Sequence, residues 1–131
     1  MKRFFEGRLK RLNFFAAMLT VSLFFVIITF LVGIIDKGFL VSVILSIILY
    51  FFQTSIAARR LHDIGWNGYL SLIFLIPFIS QQLVGVNLLI VNVVFILLLI
   101  FVKGNPTVNK YGEMDTEKDI FKVIFPRKKE I

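Results

Sequence analysis

Ala57-Ala58-Arg59-Arg60-Leu61-His62-Asp63-Ile64-Gly65-Trp66-Asn67-Gly68-Tyr69 is the only densely polar stretch between Asn13 and Lys103. It holds the single histidine, the single tryptophan and an Arg-Arg pair, and long apolar runs enter and leave it. On its N-terminal side, Phe39 to Ala57 is 19 residues without a charge. As a helix that run reaches about 28 Å, close to the roughly 30 Å hydrocarbon core of a bilayer. Beyond the tight turn Asp36-Lys37-Gly38, Asn13 to Ile35 is a second uncharged run of 23 residues, about 34 Å as a helix. It is too long for the apolar region of a cleaved signal, and no small-x-small site precedes Asp36, so it reads as a retained signal anchor.

On the other side, Tyr69 to Val102 is 34 residues without a charge. One helix of that length would be about 51 Å, more than a tilted span needs. Two arms make a hairpin, breaking near Ser80-Gln81-Gln82 or near Gly85-Val86-Asn87, and Pro77 kinks or ends whatever precedes it. Gly65 supplies a left-handed stop for the helix before it. Asn67 caps the helix that follows.

Charge placement sets the number of spans. With four, the N-terminal flank, Arg59-Arg60 and the tail share one side, and fourteen of the fifteen Lys and Arg residues lie there, leaving only Lys37 opposite. With three, the seven tail cations cross over. The positive-inside rule favours four. The expectation is an all-α membrane protein of two antiparallel hairpins, both ends cytoplasmic. Its spans fall near residues 13–35, 39–57, 69–84 and 86–102, with the second hairpin short or re-entrant.

Composition agrees. A 131-residue chain that is 58% hydrophobic, with 16 phenylalanines and a mean hydropathy of +0.88, cannot hide its apolar surface in a globule this small. The absence of cysteine excludes disulfides, thiol catalysis and thiolate metal sites, and one histidine leaves no zinc cluster. The net charge of +7 sits beside apolar spans, so headgroups account for it better than nucleic acid. Residues 1–12 interleave cations with Phe4, Phe5, Leu9 and Leu12, as either an interfacial segment or a topogenic flank. Ser42 and Ser46 share a face, for helix contact or for bonding to the preceding turn. Asn92 reads as an interhelical hydrogen-bonder. In the tail, residues 113–131, Ile120/Ile124 and Phe121/Phe125 fit one helical face, either folded back on the membrane surface or disordered.

Three motifs line up. Phe5-Glu6-Gly7-Arg8 with Arg11 and Phe14-Phe15 resembles the opening of a bacterial inner-membrane family catalogued as domain of unknown function 805. Arg59-Arg60-Leu61-His62-Asp63 with Gly65 is similar to its central signature, and Asn109-Lys110-Tyr111-Gly112 to its closing motif. Phe15 replaces the usual tryptophan, and Asn67-Gly68-Tyr69 departs from the usual aromatic pair. The resemblance covers about residues 5–112 and implies an inner-membrane location. It brings no activity, substrate or cofactor.

His62 beside Asp63 invites a catalytic reading, but neighbours on a helix diverge by about 100°, and no nucleophile elbow follows. No catalytic, cofactor-binding or metal-ligating residue is assigned. Arg59 and Arg60 complement a helix C-terminus and face phosphate headgroups. His62 and Asp63 reach Arg8, Arg11, Asn109 or Tyr111. These eight residues are expected to meet as one cytoplasmic polar cluster, with Trp66 and Tyr69 as interfacial anchors. The functional expectation is an accessory or scaffold protein, not an enzyme, that docks a protein partner, a second copy or an anionic phospholipid. A transporter subunit or a lipid-modifying enzyme is the alternative.

Overall fold

The computed structural model describes residues 2–35, 39–113 and 116–126. The Asp36-Lys37-Gly38 turn and the basic Arg127-Lys128-Lys129 end lie outside the described residues. The chain forms α1 (Lys2–Phe5), α2 (Arg11–Ile35), α3 (Phe39–Ile64), a 3-10 helix (Gly68–Leu75), α4 (Ile76–Val84), α5 (Leu89–Phe101) and α6 (Ile120–Ile124). Among the described residues, the only pairing of extended backbone is an isolated Asn109–Gly112 bridge. The fold is all-α, with two long apolar helices and two shorter apolar stretches, Gly68–Val84 and Leu89–Phe101.

Local chemistry sets the ends of these elements. Helix α3 runs through the polar signature and stops where Gly65 takes φ +93°, a conformation a side chain disfavours. The Asn67 side chain accepts from Tyr69 N and caps the 3-10 helix. Pro77 sits in the first turn of α4, where its missing N–H is harmless. Helix α4 ends at Gly85, φ +69°, so the second of the two candidate breaks is the one used.

The helices double back on one another. Leu9 N donates to Arg59 O, which sets the start of α2 beside the end of α3. Tyr50 meets Phe78 at 5.5 Å and Phe74 meets Phe95 at 5.4 Å. Asn92 Nδ2 donates to Phe74 O, tying α5 to the 3-10 helix. The end of α5 thereby returns to the end of α3. Ser46 Oγ donates to Ser42 O, four residues back, so the alternative of local backbone bonding holds there.

Burial is uneven along the bundle. In α3 every buried residue lies between Gln53 and Asp63, and none in its first half. Around that end pack Leu9, Phe14, Ala17, Leu61, Phe74 and Leu99. Small Ala17, Ala57 and Ala58 are buried here, and residues of this size let helix backbones approach closely. Away from it, Phe24, Phe30, Ile34, Leu40 and Leu83 are exposed. Only 17% of the most apolar window of each long helix is buried. The accessible surface is 8930 Å², against about 7,100 Å² for a compact soluble monomer of this mass. The tail does fold back, but onto the protein: Val123 and Ile124 of α6 are buried in the core, and Phe125 meets Phe52 at 5.3 Å.

Candidate functional site

The packed end of α3 encloses an ionic knot. Asp63, 4% exposed, accepts from two buried arginines, one on each carboxylate oxygen. Arg8 Nε reaches Oδ1 at 3.1 Å, and Arg60 Nη1 reaches Oδ2 at 2.5 Å. One carboxylate cannot neutralise two guanidinium groups, so the surplus N–H donors go to backbone carbonyls. Arg60 donates to Leu99 O at 3.0 Å, Val102 O at 2.5 Å and Leu9 O at 3.4 Å. The first two lie at the end of α5, where helical carbonyls lack intrahelical partners. Arg8 donates to Thr107 O at 2.6 Å, to Gly112 O at 3.3 Å and to Asn105 O. Asn105 N in turn donates to Asp63 O at 2.7 Å. Two arginines thus hold the N-terminal segment, the end of α5 and the segment after it against one turn of α3.

His62 faces a different side. Its Nδ1 lies 3.1 Å from Gly7 O, and because a carbonyl only accepts, Nδ1 carries the proton. The ring stacks on Tyr111 at 3.8 Å and 11°. Asn109 Nδ2 donates to His62 O at 2.9 Å, and Asn109 Oδ1 accepts from Tyr111 N. Burial pushes the imidazole below its ordinary pKa; the Gly7 carbonyl opposes this shift, and Lys110 adds to it. A Cβ on Gly68 would lie 2.5 Å from His62 Nε2, so that position admits no side chain while the ring is held. His62 and Asp63 therefore form no catalytic pair: the carboxylate serves the arginines and the imidazole serves Gly7 and Tyr111.

The geometry brings together Arg8, Arg60, His62, Asp63, Asn109 and Tyr111. Arg59 lies on another face of α3, where Nη2 donates to Val123 O at 2.6 Å and ties down α6. Arg11 is exposed at the start of α2. Trp66 and Tyr69 are exposed on the turn after α3. Because Arg59 and Arg60 are 5% and 0% exposed, the expectation that this pair meets phosphate headgroups is corrected: both guanidinium groups are turned into the protein, onto carbonyls. Sequence reasoning gave no acceptor role to Gly7, Leu9, Leu99, Val102 or Thr107, because what each supplies here is a backbone carbonyl, which every residue type carries. Among the described residues, no group of three or more His, Asp or Glu side chains converges as metal ligands do.

Gly104 passes so close to the knot that a Cβ there would overlap the Asp63 carboxylate. Two arginines fix that carboxylate, so it cannot swing aside. Gly104→Ala is expected to cost about 1–3 kcal/mol by overpacking. Gly33→Ala is the control, since a Cβ there meets nothing within 4 Å, and it is expected to be neutral or stabilising in helix α2. Thermal unfolding of the two purified variants checks the contrast.

The profile of a family described as proteins of unknown function, DUF805, matches residues 4–113. No curated protein and no solved structure matches the chain. The matched region contains Arg8, Arg60, Asp63 and the Asn109–Gly112 bridge, and so takes in the whole knot together with the four apolar stretches. On that match the chain belongs to the DUF805 family.

Proposed function

We propose that this protein is an integral protein of the bacterial inner membrane, with four membrane passes and both ends in the cytoplasm. In this reading it acts as an accessory or scaffold component and not as an enzyme. One observation carries it: among the described residues, charged side chains are buried only at the Ile64 end of α3, while the flanks of α2, α3 and α5 present apolar side chains outward. Lipid is the solvent that such flanks suit. The knot then closes the cytoplasmic end of the bundle, where positive charge is retained.

The second hairpin is shorter. The 3-10 helix and α4 together reach about 30 Å, but the 13 residues of α5 reach only about 20 Å. Non-helical residues on either side of α5, of which Val102 is extended, complete its crossing. Partners in this reading are the bilayer lipids, anionic ones at the cytoplasmic face, and a protein docked on the rim of the knot.

Reporter fusions after Lys37, Gln82 and Ile131 test the topology. An exported reporter is expected to be active at the first two positions and inactive at the third, with a cytosolic reporter giving the opposite pattern. An exported reporter active after Ile131 overturns the reading.

A further inference from the structure

Beside the knot, a cavity of about 530 Å³ opens between α1, α3 and the 3-10 helix, lined in part by Phe5, Thr54, His62, Asn67, Leu72 and Tyr111. A second cavity of about 290 Å³ continues along α3, past Ile47, Phe51, Leu75 and Phe78. The two share Phe5, Thr54 and Leu72, so they form one groove. We propose that this groove binds one anionic phospholipid, with the phosphate at the Tyr111 end and an acyl chain running toward Ile47. The proposal rests on the membrane reading above and names the lipid site within it.

Four observations point to this occupant. The first is length. Ile47 to His62 is sixteen residues of α3, fifteen rises or about 22 Å along the helix, and one leaflet with its headgroups is about 20–22 Å deep. The second is polarity. The Ile47 end is aromatic and aliphatic, whereas His62, Asn67 and Tyr111 gather at the other end. The third is charge. Lys110 Nζ stands 5.0 Å from the centre of the Tyr111 ring, and among the described residues neither cavity is lined by an acidic side chain.

The fourth is Thr54, 6% exposed, at the junction of the two cavities. Thr20 and Ser46 donate to the carbonyl four residues back. Thr54 Oγ1 does not, and it has no hydrogen-bond partner among the described residues. A buried hydroxyl left in that state is costly. In a bound glycerophospholipid the ester carbonyls lie between head and chain, as Thr54 lies between the two cavities. There they would accept its hydrogen.

The test is native mass spectrometry of the full chain in mild detergent, titrated with phosphatidylglycerol and, separately, phosphatidylcholine. Wild type is expected to retain one phosphatidylglycerol per chain at saturation. Leu72→Trp fills the groove from its rim, where Leu72 is half exposed, and is expected to lower retention at least tenfold. Leu72→Phe is a smaller intrusion that guards against a folding defect, and is expected to lower it at least threefold, with helicity by circular dichroism unchanged. Lys110→Glu is expected to abolish the preference for phosphatidylglycerol.

Equal retention by wild type and Leu72→Phe overturns the proposal. So does an unsaturable ladder of lipid adducts, or a stoichiometric peptide or second chain in place of lipid. Micelles have no sides, so this outcome is independent of the reporter fusions that test the topology.

Discussion

Asp63→Ala is expected to destabilise the protein by about 3–5 kcal/mol, because it leaves Arg8 and Arg60 buried without a counter-charge. Against a total stability of about 5–15 kcal/mol typical of a folded domain, that is a third or more of what holds a typical chain folded. The mechanism predicts more than a loss. Asp63→Asn keeps the shape, but its amide would turn N–H donors toward one of the two guanidinium groups, which are themselves only donors. It is therefore expected to be nearly as damaging as alanine.

Removing Arg8 as well relieves one of the two stranded charges. The Arg8→Met/Asp63→Ala double variant should be more stable than the sum of the single losses implies, by about 1–3 kcal/mol, as for groups in direct contact. Denaturation of the four purified proteins in detergent closes the cycle. Simple additivity would mean that Arg8 and Asp63 are not coupled.

Arg60→Lys is the second large effect, expected at about 2–4 kcal/mol despite the retained charge. Arg60 serves Leu99 O, Val102 O, Leu9 O and Asp63 from one planar fork. A lysine ammonium is a single point with three donors and cannot span those directions. Carbonyls left unpaired in a buried site cost about 1–3 kcal/mol each. The damage should be local, with faster amide exchange from Leu99 through Tyr111, the end of α5 and the segment that follows it, and little change in the middle of α2. Wild-type exchange in the lysine variant would show that charge alone is sufficient there.

Much of the architecture follows from residue types in order. Uncharged runs long enough for a bilayer become α2 and α3. Gly65, Asn67, Pro77 and Gly85 punctuate the chain because each has a backbone or capping property that its neighbours lack. The gathering of His62, Asp63, Arg8, Asn109 and Tyr111 at one end was also legible, since chain reversals return all three motifs to the same level. Pairwise assignments were not. Arg59 and Arg60 are adjacent in sequence, yet adjacent side chains on a helix diverge by about 100°, so one anchors α6 and the other α5. Arg8 is buried and Arg11 exposed because the turn at Gly7 and the start of α2 aim them differently.

The sequence by itself determined that long apolar helices would form and that Gly65 would stop one of them, because those outcomes depend on hydrophobic length and on a few residues with special backbone geometry. Only the tertiary structure decided which cation meets which anion and where the surplus donors go. The acceptors for Arg8 and Arg60 are mostly backbone carbonyls, identical in every residue, and only the packing of the chain brings particular ones within reach.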